Sequence, residues 1–234
     1  MFNRSEVPVS CLFNNVESNI QPSIVEYNEK TWKILFPPHS NLKNLKMTNI
    51  GLYSIAKPTI SKALIDFIEE LRTIFGEKPL TELSITESHG GLGGFSIQLF
   101  KKFKLHNIVE SDKTHSEILK HNINVYADEK YPDSVKIYND DYLNILYNLN
   151  NDIIVSDPPW TDKYHTQKIL KLTIDNIDIT YVINQLYAKK KFKMFILMAP
   201  KTFDISSFIK YIYSPDIHIK KVNKHYLIAI LRKY

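Results

Sequence analysis

The chain has 234 residues, of which 44% are hydrophobic, and this suffices for one domain with a large core. Its formal net charge is +5, and lysine-rich runs at 189–193 and 220–224 leave two interpretations open, a compositional bias of the genome or attraction to a polyanion such as nucleic acid. The single cysteine, Cys11, excludes a disulfide framework and a cysteine-rich zinc site, and the histidines show no metal-ligand spacing. No apolar stretch approaches the roughly 20 residues of a membrane span, and no signal-peptide pattern opens the chain.

The first 50 residues lack clear periodicity and are predicted to be an N-terminal extension, whereas residues 51–234 are predicted to form the main domain. Apolar residues of the extension, such as Trp32 and Phe36, predict that it docks on that domain. The first predicted helix covers 58–75, because apolar residues recur there at helical spacing between a proline and a glycine.

Four of the six glycines fall between positions 90 and 94, directly after a predicted strand at 83–87. Glycine is costly to order, so this cluster predicts a turn where the backbone approaches a ligand. The spacing is not the G-x-G-x-x-G of dinucleotide-binding proteins. Glu87, Gly91 and Gly93 instead follow the acid-x-x-x-Gly-x-Gly pattern of class I S-adenosylmethionine (SAM) methyltransferases, with a plain tight turn as the alternative for this segment alone.

The remaining pattern alternates between strand and helix. The predicted strands are at 107–110, 135–138, 152–156, 193–198, 217–222 and 225–232, and the predicted helices at about 95–103, 114–126, 142–149, 179–189 and 204–212. This alternation predicts a Rossmann-like α/β fold with a mostly parallel seven-stranded sheet and helices on both faces. The last two strands are joined by too short a link for a helix, so they are predicted to form an antiparallel C-terminal hairpin.

Each of the first four predicted strands ends in an acidic residue, at the sheet edge where open α/β folds bind ligands. These residues are Glu87, Glu110, Asp140 with Asp141, and Asp157. Glu110 stands where an acid accepts from two ribose hydroxyls, and Asp140 or Asp141 suits the adenine amino group. The combination predicts a SAM site that includes these acids and both glycines of the pattern. His89, within the turn, is predicted to line the cofactor pocket or merely to pack.

The tetrapeptide Asp157-Pro158-Pro159-Trp160 is the most informative segment. Two prolines make a stiff turn, which is the structural interpretation. The functional interpretation is methylation of an exocyclic amine, a poor nucleophile because its lone pair is delocalised into the ring. The Asp157 side chain and the Pro158 carbonyl orient the amine, Trp160 stacks on the base, and positioning and electrostatics assist an in-line displacement.

Taken in order, several motifs resemble the RNA cap guanine-N2 methyltransferases (trimethylguanosine synthases). The resemblance covers residues 50–233 and rests on Gly51-Leu52-Tyr53-Ser54-Ile55, Glu87 with residues 91–98, Asp112 with residues 121–126, Asp140-Asp141-Tyr142, Asp157-Pro158-Pro159-Trp160 and Ala199-Pro200-Lys201. The Gly-Gly-x-x-Ile-Gln run, the Asn-x-x-Val-Tyr helix end and the Pro-Pro-Trp are its specific parts.

The resemblance implies that the substrate is the 7-methylguanosine cap of RNA and that the methyl group goes to N2. A cationic base suits Trp160, since a cation over an indole face gains ~0.5–2 kcal/mol beyond ordinary stacking. Lys57 and Lys201 are the expected contacts of the triphosphate. Tyr53, Ser54 and Pro200 complete the implied substrate-binding set.

Three departures from the family leave other functions open. The family commonly has serine at the position of Asp157, a glycine-rich segment where this chain has residues 161–165, and aspartates where it has Glu87 and Glu110. Asp-Pro-Pro-Trp is also typical of mRNA adenosine-N6 methyltransferases, although there it precedes the glycine turn. Adenine-N6 methylation of DNA or RNA is therefore the alternative. A non-catalytic RNA-binding subunit with this fold is the second, and the intact glycines and Pro-Pro-Trp argue against it.

The enzyme implied by the resemblance binds capped RNA and is expected to be a monomer without a metal or a membrane association. Its single cysteine suits an intracellular compartment. Both the nucleus and, for a viral protein, the host cytoplasm fit a cap enzyme. The compact chain, rich in lysine and asparagine, is compatible with the viral alternative.

Overall fold

The computed structural model describes residues 3–8, 21–127, 132–149, 151–160, 168–169 and 171–233. Cys11 and residues 161–165, discussed above, lie outside these ranges. The helices are α1 (Glu29–Leu35), α2 (Gly51–Ser54), α3 (Pro58–Glu70), α4 (Ser96–Leu99), α5 (Lys113–Tyr126), α6 (Tyr142–Ile145), α7 (Ile179–Ala188) and α8 (Ile205–Lys210). Short 3₁₀ helices cover Arg4–Glu6, Leu42–Asn44, Arg72–Phe75 and Leu80–Glu82.

The strands are β1 (Ser84–Glu87), β2 (Leu105–Val109), β3 (Val135–Tyr138), β4 (Ile153–Ser156), β5 (Thr173–Ile174), β6 (Ile177–Asp178), β7 (Met194–Pro200), β8 (Ile217–Val222) and β9 (His225–Leu231). Seven of them form one sheet in the order β3-β2-β1-β4-β7-β9-β8, and β5 pairs with β6. The predicted seven-stranded, mostly parallel α/β sheet with an antiparallel C-terminal hairpin is confirmed.

By their internal contacts the residues divide into two compact units. We call residues 18–142 the glycine-turn unit, and residues 1–17 with 143–234 the proline-turn unit. In the glycine-turn unit β1, β2 and β3 pair in parallel. Its apolar cluster joins α1, the turn, β2 and α5 through Trp32, Leu92, Ile108 and Leu119.

Helix α1 is absent from the sequence prediction, which places no helix before residue 58. Asn28 caps it, since its side-chain oxygen accepts from the Thr31 N–H at 2.9 Å. Trp32 is only 1% exposed, and its indole N–H donates to the Leu45 carbonyl at 3.1 Å. With seven residues the helix is too short to show periodicity in sequence. The domain boundary at residue 50 stays a prediction.

The Asn-x-x-Val-Tyr motif at the end of α5 holds the preceding chain in place. The fully buried Asn122 accepts from the Lys46 N–H at 2.9 Å. Its amide donates to the Lys46 carbonyl at 3.0 Å and to the Leu92 carbonyl, within the glycine turn, at 3.1 Å. Tyr126 donates to the Pro37 carbonyl at 2.5 Å. The motif therefore ties residues 37–46 and the turn to one helix.

Replacing Asn122 with alanine is expected to destabilise the protein, because two carbonyls and an N–H lose their partner in a buried place. A buried polar group left unsatisfied costs about 1–3 kcal/mol, so the melting temperature should fall by about 2–12 °C. Thermal unfolding measures this. Glu117→Ala, at an exposed position of the same helix, is the control and should change the melting temperature little. Equal melting temperatures for Asn122→Ala and the control would contradict the assigned role.

In the proline-turn unit β4 pairs in parallel with β7, and β7, β9 and β8 pair antiparallel. All seven residues of β7 are buried, as expected for a central strand covered on both faces. Asn223 and Lys224 join β8 to β9, and Asn223 has the left-handed φ of 54° that a tight hairpin turn requires.

Other elements also differ from the prediction, among them α2, which was not predicted, and α3, which ends at Glu70 and not at residue 75. The β5–β6 hairpin was not predicted, because each strand has two residues and shows no alternation; its Asp175-Asn176 turn, with φ of 47° and 63°, is the signal. Helix α4 ends before residue 103, because the chain turns after Leu99 to enter β2. Helix α6 ends before residue 149.

Candidate active site

The glycine turn, residues 88–94, is tied to the carboxyl end of β2. The Gly90 N–H donates to the Val109 carbonyl at 2.8 Å, and the Gly91 N–H donates to the Glu110 carboxylate at 2.7 Å. Gly91 and Gly93 have φ values of 53° and 97°, which side chains adopt at a cost. A Cβ added at Gly91 would meet no described atom within 4 Å. Open space therefore borders the turn beside the Glu110 carboxylate, as a cofactor cradle requires.

The other end of the turn packs against the backbone between α2 and α3. A Cβ added at Gly94 would lie 2.6 Å from the Ala56 nitrogen and 2.7 Å from its carbonyl oxygen. This close approach places three predicted substrate residues beside the turn. Tyr53 is 87% exposed, and Ser54 and Lys57 are also exposed, so their side chains are available to a ligand.

Glu87 is buried at the end of β1, and both of its carboxylate oxygens bind protein groups. One accepts from the Ser96 hydroxyl at 2.9 Å, and the other lies 2.6 Å from Nε2 of His106. The carboxylate thus joins β1 to the start of α4 and to β2. The cofactor contact expected of Glu87 stays a prediction, and these bonds give the side chain a part in shaping the turn.

Glu110 follows β2 and is 9% exposed. Its two oxygens accept from the backbone N–H groups of Gly91, at 2.7 Å, and of Asp112, at 2.9 Å. Burial raises the pKa of Glu110, and the two backbone hydrogen bonds oppose that shift. Each oxygen keeps a further lone pair, so the arrangement fits a carboxylate that also accepts from a diol.

His89 lies within the turn and is neutral near pH 7. Burial lowers its pKa to about 4, against the opposing charge of Asp141. Its Nδ1 lies 2.8 Å from the Ser88 hydroxyl. Asp140 and Asp141 follow β3 and are partly exposed, and Asp140 accepts from the Asp141 N–H at 2.8 Å. Acids and a neutral imidazole make this part of the unit suited to a cationic ligand.

Asp157 follows β4 in the proline-turn unit. Part of the residue stays accessible, yet burial of the carboxyl raises its pKa well above the usual range of an aspartate. In the described part of the chain, no hydrogen bond to this carboxyl is found. Pro158, next to it, is buried, and Pro159 is exposed. A hydrogen bond that a ligand donates to a desolvated carboxyl of this kind is stronger than one to a carboxyl in water.

Trp160 packs against His225, the first residue of β9, with the ring centroids 5.3 Å apart and the planes at 37°. In the sheet His225 pairs with the buried Pro200, and the Lys201 N–H donates to the Lys224 carbonyl at 2.9 Å. The predicted residues Trp160, Pro200 and Lys201 are thus brought together around one histidine. Sequence reasoning missed His225, because only the register of β7 with β9 places it there.

Neither a membrane-spanning helix nor a cluster of metal ligands is found among the residues that the structure describes. No helix there is both long and apolar enough to span a bilayer. No group of three or more histidine, cysteine, aspartate or glutamate side chains there is arranged to hold a metal ion.

Comparison with known proteins gives one curated relative and several similar structures. Uncharacterized protein L320 of Acanthamoeba polyphaga mimivirus is 29% identical over 170 residues, 71% of this chain and 64% of the relative, so the chain spans less than two thirds of that protein. The T. thermophilus 16S rRNA N2 G1207 methyltransferase RsmC, in complex with AdoMet and guanosine, matches with a TM-score of 0.57 at 15% identity, over 77% of this chain and 44% of that one. A putative methyltransferase from Porphyromonas gingivalis W83 matches with a TM-score of 0.55 at 14% identity, over 78% of this chain and 42% of that one. These two structures show the fold.

The sequence profile of the RNA cap guanine-N2 methyltransferases matches residues 84–230, more than half of the chain. The match begins at β1 and ends within β9, so it includes the glycine turn, the acids that follow the strands and the Asp-Pro-Pro-Trp segment. Tyr53, Ser54 and Lys57 lie outside it. The resemblance deduced from the motifs is confirmed: the chain belongs to the RNA cap guanine-N2 methyltransferase family and has the fold of the class I SAM-dependent methyltransferases.

Proposed function

We propose that the protein transfers the methyl group of SAM to the exocyclic N2 amine of the 7-methylguanosine cap of RNA. The observation that carries this proposal is the geometry of the turn after β4. The Asp157 carboxyl is desolvated there, and the ring of Trp160, three residues later, packs against His225. Family membership supports the same chemistry.

The glycine-turn unit supplies the contacts of the cofactor. Glu110 accepts from the ribose hydroxyls with the lone pairs that its backbone partners leave, and Asp140 or Asp141 accepts from the adenine amine. Gly91 and Gly93 let the backbone approach the ligand without a side chain. His89 stays uncharged, so it does not repel the sulfonium. Glu87 holds the turn in shape through Ser96 and His106.

The proline-turn unit supplies the contacts of the base. Trp160 stacks on the cationic 7-methylguanine, and His225 fixes the orientation of the indole. The Asp157 carboxylate accepts from N1–H and N2–H of guanine together, whereas the N1 lone pair of adenine would oppose it. This difference favours guanine over adenine.

SAM supplies an electrophilic methyl carbon whose bond to sulfur breaks as the bond to N2 forms, leaving a neutral sulfide. Asp157, together with the Pro158 carbonyl, holds the amine in line with the methyl group and stabilises positive charge on the nitrogen. Asp157 is also assigned a contact with the cofactor. The proton that N2 loses passes to the carboxylate or to solvent. Lys57 and Lys201, both exposed, bind the triphosphate.

The test is methyl transfer from labelled SAM to 7-methylguanosine triphosphate, with GTP and an adenine-containing oligonucleotide as parallel substrates. Label is expected on the 7-methylated nucleotide alone. Trp160→Ala should lower kcat/KM by about 10- to 100-fold, since stacking on an aromatic side chain contributes about 1–3 kcal/mol per base. Tyr211→Ala, which removes an exposed ring of the same unit, is the control and should leave the rate unchanged.

Label on the oligonucleotide alone would overturn the guanine-N2 assignment in favour of adenine-N6 methylation. No label on any substrate together with no SAM binding would instead support a non-catalytic RNA-binding subunit.

A further inference from the structure

We propose that Asn139 is a positioning residue of the cofactor site. Its side-chain amide joins the ends of β2 and β3, and so sets the spacing between Glu110, the acceptor of the ribose hydroxyls, and Asp140 or Asp141, the acceptor of the adenine amine. The inference rests on the proposed function, because that is where the three acids receive these roles.

The backbone pairing of β2 with β3 leads directly to these acids. The register pairs Val109 with Tyr138, and the Glu110 N–H donates to the Tyr138 carbonyl at 3.0 Å. Beyond this point one chain leads into α5, and the other leads through Asp140 and Asp141. Chains that separate after a parallel ladder are no longer held at a fixed distance by it. A further contact is needed if the acids are to keep one spacing.

Asn139 supplies this contact with both hydrogens of its amide. Its Nδ2 donates to the Glu110 carbonyl at 2.9 Å and to the Ser111 carbonyl at 3.0 Å. Two carbonyl partners require the NH2 end of the amide to face them, since its oxygen would meet two acceptors there. The residue before Asp140 is therefore tied to Glu110 and to the residue after it.

The contact completes the restraint of Glu110. The carboxylate of this residue accepts from the Gly91 N–H at 2.7 Å and from the Asp112 N–H at 2.9 Å, whereas Asn139 holds its main chain. Asn139 is exposed, so it adds little buried surface to the core. Its contribution is to preorganisation, because a ligand that contacts acids on two strand ends binds more tightly when their spacing is already set.

The test is calorimetric titration with S-adenosylhomocysteine, the product that SAM leaves after transfer, whose sulfur is uncharged. Asn139→Ala is expected to raise its Kd by about 3- to 10-fold, the value of one or two lost hydrogen bonds. In methyl transfer, KM for SAM should rise by the same factor, and the loss should not extend to kcat. Asn44→Ala is the control, at an exposed asparagine of the same unit whose backbone carbonyl is the group that binds His121, and it should leave Kd unchanged.

Asn139→Asp separates positioning from a direct contact with the ligand. The aspartate keeps an acceptor oxygen and loses both donors, so affinity should fall at least as far as in Asn139→Ala. In a Glu110→Gln background, Asn139→Ala should cost much less than it does alone, because the amide acts through Glu110. Wild-type affinity in either Asn139 variant, full additivity with Glu110→Gln, or a fall in melting temperature without a change in Kd would overturn the proposal.

Binding of the product needs no methyl acceptor, so this proposal and the catalytic one fail separately. If label appears on the adenine-containing oligonucleotide while the Asn139 variants bind the product weakly, the guanine-N2 assignment fails and the role of Asn139 stands. If the cap nucleotide is methylated and the variants bind the product as tightly as the unaltered protein, the role of Asn139 fails and the catalytic assignment stands.

Discussion

Asp157→Asn is expected to lower kcat/KM for a capped substrate by about 10- to 100-fold and, at neutral pH, to raise the stability of the protein. The loss of activity follows because an amide presents one acceptor and one donor where the carboxylate presents two acceptors, and a hydrogen bond to a charged group contributes about 1.5–3 kcal/mol. Steady-state methyl transfer and thermal unfolding of the same two samples measure both effects.

The gain in stability follows from the direction of the pKa shift. Burial raises the folded-state pKa of Asp157, so in the pH range above the usual aspartate pKa the folded state holds more protons than the unfolded state. Stability then falls as the pH rises toward the raised pKa, because a carboxylate without a partner in the described structure becomes charged while buried. Asparagine removes this charge.

The same shift predicts the pH profile of the reaction. The carboxylate is the active form, so kcat/KM should fall as the pH is lowered through the raised pKa of Asp157, at a pH above the ~3.9 of an ordinary aspartate. Asp157→Asn should lose this acid limb. Asp152→Asn, at the opposite end of β4 where the carboxylate lies 3.7 Å from Lys193, is the control and should keep both the limb and the rate. A variant at Asp157 that loses activity and stability together would indicate a structural role instead.

The core sheet and one part of the site were predictable from sequence, because they depend on local patterns. Apolar runs such as β7 indicate strands buried on both faces, and glycines in a glycine-poor chain mark the turn. Acids after the strands follow from the same reasoning, because strand ends lie at one edge of a parallel sheet. Glu110, predicted as the last residue of its strand, stands directly after β2 and contacts the Gly91 N–H.

The rest depends on partners that are distant in sequence. His225 reaches Trp160 only because β9 pairs with β7 in one register, and no local pattern specifies that register. The backbone contact between Gly94 and Ala56 likewise joins residues far apart in the chain. Glu87 matches the sequence pattern of a cofactor acid, but its burial and its bonds to Ser96 and His106 are tertiary facts.

Replacing Gly94 with alanine is expected to lower the free energy of unfolding by about 3 kcal/mol and to weaken SAM binding by at least about 10-fold. The new Cβ would lie 2.6 Å from the Ala56 nitrogen, and backbone cannot yield as a flexible side chain does. Relief of the overlap has to move either the turn or the chain that precedes α3. Chemical denaturation and calorimetric titration with SAM measure the two effects.

Gly76→Ala and Gly91→Ala separate this collision from the cost of a left-handed backbone. Both glycines have a left-handed φ, 67° and 53°, and at neither would a Cβ meet a described atom within 4 Å. Each substitution should therefore cost about 1–2 kcal/mol of stability, less than the collision at Gly94. Only Gly91→Ala should also weaken SAM binding, since Gly91 donates to the proposed ribose acceptor, Glu110, and borders the open space beside it. Equal SAM affinity in these two variants would remove Gly91 from the cofactor site, and a Gly94→Ala protein as stable as Gly76→Ala would refute the backbone contact as the reason for glycine there.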